Sequence, residues 1–111
     1  MYIKFVVEAF CMSQNVDPAL AVVGAGTAMY LHGLRKGWSD IDMYHPALTE
    51  QKVSFMGHEV DAGGLNRDGS LWKGEMKNGL RIQTKAELRA FYTMLGRPKD
   101  QASLLLLKEA E

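Results

Sequence analysis

Residues 21–44, AVVGAGTAMYLHGLRKGWSDIDMY, restrict this chain to few folds. Residues 19–23 are short and apolar throughout, as expected of a strand covered on both faces. Gly24 and Gly26 end it, and residues 27–34 read as a helix with Met29, Tyr30 and Leu34 turned inward. A basic, glycine-containing loop (33–39) leads to a second strand over 41–44, which His45-Pro46 closes. On a period-2 strand Asp40 and Asp42 project from one face while Ile41 enters the core. Two hard oxygen ligands side by side suit Mg²⁺, which takes one or two carboxylates together with the phosphates of a substrate. A glycine turn opening a helix is the matching half of a phosphate site, because free N–H groups and the helix dipole both favour an anion.

The remaining chain supplies a scaffold for these two halves. Residues 2–13 place Ile3, Val6, Val7, Phe10 and Cys11 near helical period, so one stripe is buried. Asn15 to Pro18 is a turn. Residues 51–56 alternate apolar and polar, a strand signal, and 58–62 continue that strand or start its neighbour. The glycine-rich segment 63–79 is the least legible, with Leu71, Trp72 and Met76 offering one short strand or a partly ordered flap. A last strand is expected over 80–83. Thr84 and Glu87 then have capping-box spacing, for a helix that buries Leu88, Phe91, Met94 and Leu95 and stops near Gly96. Asp100 is expected to cap a final helix that buries part of the leucine run 104–107. With 111 residues and no repeat or linker, the expectation is a single α/β (α+β) domain over 1–111. Its sheet is expected to be small and mixed, with four or five strands.

Charge narrows the function classes. Thirteen basic residues balance thirteen acidic ones, so extended, non-specific nucleic-acid binding is not favoured. The single Cys11 excludes an internal disulfide and fits a reducing compartment, and no apolar run is long enough to span a bilayer. A cytoplasmic protein is expected. His32, His45 and His58 are too scattered for a zinc set and read as partly exposed packing residues. The methionines read as core filler. Trp38 reads as an anchor against the sheet or a base-stacking ring. Gly24-x-Gly26 is also the start of a dinucleotide-binding turn, but Met29 stands at the third small-residue position.

Gly26-Thr27, twelve intervening residues, then Asp40-Ile41-Asp42 preceded by Ser39 resemble the DNA polymerase beta-type nucleotidyltransferase superfamily. The segment LGRPKDQASLLLL (95–107) resembles the Arg-x-Lys-Asp helix start of its small AbiEii-like and minimal members. The resemblance implies a small mixed sheet with helices against it, a nucleotidyltransferase-like fold. It also implies transfer of a nucleotide from an NTP to an acceptor such as a protein side chain, a tRNA end or a small molecule. Asp40 and Asp42 would hold two Mg²⁺ ions, and a third carboxylate on a later strand would activate the nucleophile. Asp61, between Val60 and Ala62, fits that role best, with Glu59 as runner-up. Gly24, Gly26 and Thr27 would hold the triphosphate, with Ser39 and Lys99 beside it. The turn departs from the Gly-Gly or Gly-Ser common in the family, and an appended domain that would select an acceptor is not expected. The alternative is an inactive binding or regulatory module on the same fold, such as half of a toxin–antitoxin pair or an inhibitor in a host–parasite conflict. A protein partner, or a homodimer through residues 104–107, would fit either reading.

Overall fold

The computed structural model describes residues 2–110. Helix α1 (Tyr2–Ser13) is followed by a 3₁₀ turn (Pro18–Leu20), strand β1 (Val22–Val23), helix α2 (Ala25–Leu31) and strand β2 (Ile41–Tyr44). A hairpin of β3 (Gln51–Phe55) and β4 (His58–Gly63) comes next, then a hairpin of β5 (Glu75–Lys77) and β6 (Leu80–Ile82), then α3 (Lys85–Leu95) and α4 (Asp100–Glu109). The sheet is mixed and open, in the order β3-β4-β2-β1-β6-β5. It has six strands, not the four or five expected. The additional strand, β5, comes out of the glycine-rich segment and is exposed along its whole length at the sheet edge. Its signal was Asn78-Gly79: both residues have positive φ (52° and 77°), the two-residue turn that matches strand twist.

Two element boundaries differ from expectation for local reasons. Strand β1 is only Val22–Val23, because Pro18 lacks an N–H and Asp17 accepts the Ala19 N–H at 2.9 Å, which winds 18–20 into a 3₁₀ turn. Helix α2 starts two residues earlier than expected, at Ala25, and ends at Leu31, before Gly33 with φ +77°.

One face of the sheet is the core. Val53, Val60 and Ile41 share a register row, as do Ala62 and Met43, and Val23 pairs with Ile82 in the central strands. Helix α1 contributes Ile3, Val6, Val7, Phe10 and Cys11 to the same cluster, and Phe10 meets Phe55 edge-on at 5.4 Å. Burial raises the Cys11 thiol to about 11, so it stays neutral and apolar in character. The opposite face carries Lys52, Asp61, Asp42 and Tyr44, and α3 approaches it where Phe91 meets Tyr44 at 6.4 Å.

Helix α3 has the expected capping box and a left-handed Gly96 at its end. Its buried stripe is Leu88 and Tyr92, one turn apart, instead of Leu88, Phe91, Met94 and Leu95. Met94 is exposed, and Phe91 and Leu95 face a cavity. Asp100 does not cap α4: it is the first helical residue, and Arg97 grips its buried carboxylate through Nε (2.8 Å), Nη2 (3.0 Å) and the backbone N–H (3.0 Å). The leucine run turns mostly inward, with Leu107 buried and Leu105 exposed. Among the described residues, no helix is long and apolar enough to cross a membrane.

Candidate functional site

The strand registers assemble the acidic centre. Strands β2 and β4 are parallel with Asp42 directly opposite Asp61, and β3 places Lys52 directly opposite Asp61 on the other side. Lys52, Asp61 and Asp42 therefore form one row across three adjacent strands, at strand spacings of about 4.8 Å. The row ends at the β1–α2 turn, where the Gly24 N–H donates to the Asp42 carbonyl at 2.9 Å. Asp40 lies just before β2 and completes the group, its carboxylate 3.4 Å from Lys52 Nζ. Glu59 shares the face of Asp61 and sits 3.8 Å from Lys52, but it does not line the cavity that the three aspartates share. Register, not side-chain identity, separates Asp61 from Glu59.

That cavity has a volume of about 1120 Å³. Asp40, Asp42 and Asp61 line one part of it, with Gly26, Ser39, Arg35 and Lys52 around them. Tyr44 and Phe91 form an aromatic wall, and Arg97 and Lys99 stand at the α3–α4 turn. Of the expected site residues, Asp40, Asp42, Asp61, Gly26, Ser39 and Lys99 thus meet in one place.

Gly24 and Thr27 are placed differently. Gly24 is buried, and a methyl group there would strike the Tyr44 ring and the Gln83 side chain, so its contribution is to let those two side chains pack against the β1–α2 turn. The fully buried Thr27 hydroxyl donates to the Asp40 carbonyl (2.8 Å) and accepts the Asp42 N–H (3.1 Å). It is a strut that fixes the backbone between the two carboxylates, not a group facing the cavity. Gly26 does face it: a Cβ there would sit 2.9 Å from Arg35 Nη1 and 3.9 Å from Asp42 Oδ2. Arg35 in turn donates to the buried Ser103 hydroxyl of α4. Trp38 packs on His58 (5.2 Å), which bonds Tyr2 at 2.9 Å, so the ring is anchored while still lining the cavity. His45 is fully buried rather than partly exposed, its ring bonded to the Asp17 carbonyl (2.8 Å) and the Ala47 N–H (3.0 Å).

Crowding of like charge shows in the electrostatics. Burial, then the charges of Asp61 and Asp40, raise the Asp42 carboxyl to about 6, while the Thr27 hydrogen bonds oppose the shift. Burial and the charges of Asp42 and Asp61 push the Tyr44 phenol well above its ordinary range. Lys52 is held more firmly protonated, first by Asp40 and then by Glu59. Among the described residues, no three carboxylates or imidazoles converge as a ready-made metal cage. The donor set fits Mg²⁺ in its other mode, one or two carboxylates whose remaining sites go to water and substrate phosphate.

Lys52, Tyr44 and Phe91 escaped the sequence reading. Lys52 could have been found by pairing the alternation of 51–55 with that of 58–63, since register alone brings it opposite Asp61. Phe91 was read as core because it lies on the flank of the α3 stripe. Neither a protein-family model, a curated protein nor a solved structure matches the chain.

Proposed function

We propose that the protein is a Mg²⁺-dependent nucleotidyltransferase that moves a nucleotide from an NTP to an acceptor hydroxyl. The observation that carries this reading is the register pairing of Asp42 with Asp61, which with Asp40 sets three carboxylates on one cavity rimmed by cations. The order β1–turn–α2–β2, with β1 antiparallel to β2 and β4 parallel to it, supports the reading, because it brings the glycine turn against the carboxylate pair. Asp40 and Asp42 would hold the divalent ions, with Asp61 as third carboxylate. Bound Mg²⁺ would neutralise phosphate charge on both the attacking and leaving sides of an in-line displacement. Asp61 accepts the proton of the acceptor hydroxyl as that oxygen bonds to the α-phosphorus, and the bond to pyrophosphate breaks. Arg35, Lys52 and Lys99 balance the phosphate charge, and Ser39 offers a hydroxyl beside it. Chemistry of this kind is mostly positioning and charge stabilisation, which a small domain can supply.

Calorimetric titration of each NTP, with Mg²⁺ and with EDTA, tests the reading. Metal-dependent binding of an NTP that Asp40→Asn/Asp42→Asn abolishes, with circular dichroism unchanged, is the expected result. Binding of no NTP in either buffer would refute it and leave a regulatory module on this fold. Unfolding of the double variant would make the two aspartates structural.

A further inference from the structure

We infer that Gln83, which follows β6 and lies outside the cavity, is a positioning residue for the carboxylate pair. It grips helix α2 at both ends, and α2 holds Asp40 and Asp42 through Thr27. This inference rests on the reading of the aspartates as the reactive centre.

Gln83 is fully buried. Its side-chain Oε1 accepts the Ala25 N–H at 2.8 Å, at the start of α2. Its carbonyl accepts from His32 Nε2 at 2.7 Å, at the end of α2. Its own N–H donates to the Val23 carbonyl at 2.8 Å, which extends the β1–β6 pairing by one bond. One residue thus ties a seven-residue helix to the sheet at both termini.

The bond to Ala25 falls where the backbone needs it. Ala25 has φ +47°, the left-handed region that an alanine adopts only when its surroundings over-determine it. Gly24 lacks the methyl group that would come within 2.6 Å of the same Oε1, so the amide sits tight against the turn. Without the acceptor, Ala25 relaxes toward ordinary φ and the first turn of α2 rotates. Thr27 lies two residues on, and its hydroxyl then loses the Asp40 carbonyl and the Asp42 N–H together.

The other half of the amide points the same way. Among the described residues Gln83 Nε2 has no hydrogen-bond partner, although it is buried, so the side chain carries an unsatisfied polar group in the interior. An apolar side chain would avoid that cost, which makes the single bond to Ala25 the reason for an amide at this position.

The test uses Gln83→Met, which keeps length and volume, and Gln83→Met/Ala25→Gly, in which glycine takes the left-handed conformation without a clamp. The first readout needs no ligand: hydrogen exchange at the Asp42 amide. It should speed up by about tenfold or more in Gln83→Met, as expected for loss of a buried hydrogen bond, while amides of the β3–β4 hairpin keep their rates. The second readout is the affinity for ATP with Mg²⁺, which should fall by about 10- to 100-fold, the usual consequence of losing a group that orients metal ligands. The glycine double variant should restore both. Unchanged exchange at Asp42 overturns the inference, as do equal acceleration in the hairpin and failure of glycine to rescue. Should the methionine variant not fold, Gln83→Asn, one methylene too short to reach Ala25, decides on the same readouts. If the unsubstituted protein binds no nucleotide while Gln83→Met still exposes the Asp42 amide, the nucleotidyltransferase reading fails and the positioning role stands. If it binds ATP and Gln83→Met leaves both readouts unchanged, the positioning role fails and the function stands.

Discussion

Asp42→Asn should stabilise the metal-free protein, and only above a defined pH. In the folded chain the Asp42 carboxyl titrates near 6, against 3.8 for the free side chain, because burial and the charges of Asp61 and Asp40 oppose its ionisation. A carboxyl whose folded value is raised takes up its proton more readily when folded. Its contribution is therefore favourable below 3.8, declines as pH rises from 3.8 to about 6, and is constant above. At 1.36 kcal/mol for each tenfold change in proton affinity, the ionised Asp42 costs the fold about 3 kcal/mol at pH 7 to 8. Asparagine keeps the shape and removes the charge, and its amide can donate to the neighbouring carboxylates. Urea titration of both proteins at pH 3.5 and pH 8 measures the difference. It should be near zero at the lower pH and about 3 kcal/mol in favour of the variant at the higher, roughly 12 °C in Tm for a domain of this size. Excess Mg²⁺ should narrow the gap at pH 8, because only the aspartate gains from the cation. A variant less stable at pH 8, or equally stabilised at both pH values, would refute the argument from charge crowding.

Gly26→Ala puts a methyl group 2.9 Å from Arg35 Nη1, at the movable end of a flexible side chain. Thermal unfolding should change little while Mg²⁺-dependent NTP binding weakens in calorimetry; full affinity would detach Arg35 from the site. Glu87→Ala removes the acceptor of the Thr84, Gly74 and Lys73 N–H groups at 2.9, 3.0 and 2.9 Å. Stability should fall by about 2 kcal/mol, and hydrogen exchange at Lys73 and Gly74 should accelerate more than elsewhere. Leu88→Ala empties a fully buried position where α3 meets the core, and denaturant unfolding should show a loss of about 3 kcal/mol.

Local chemistry made much of this protein legible. The Thr84/Glu87 capping box, the stripe of α1, the alternation of β3 and the Asp-x-Asp pair at the start of β2 each depend on neighbours within about one turn or one strand, and each is present. The misreadings arose where a contact from far along the chain decides. The face of α3 shifted to Leu88 and Tyr92 because α4 packs along the helix, while Phe91 turns toward Tyr44 of the sheet and lines the cavity. Thr27 looked like a phosphate ligand by its place after a glycine, yet its hydroxyl is taken by backbone atoms thirteen and fifteen residues away. Glu59 and Asp61 are chemically alike and share a face, and only the parallel register with β2 sets Asp61 opposite Asp42. Gln83 carried no signal at all, because its partner Ala25 lies 58 residues earlier. The sequence by itself determined the mixed α/β class, the acidic pair and the turn that precedes it, since periodicity and turn chemistry are properties of a few adjacent residues. Only the tertiary structure decided the sixth strand's place, the pairing of Asp61 with Asp42 and the contacts of Thr27 and Gln83. Strand order and register follow from the packing of whole elements, and no local run of residues encodes them.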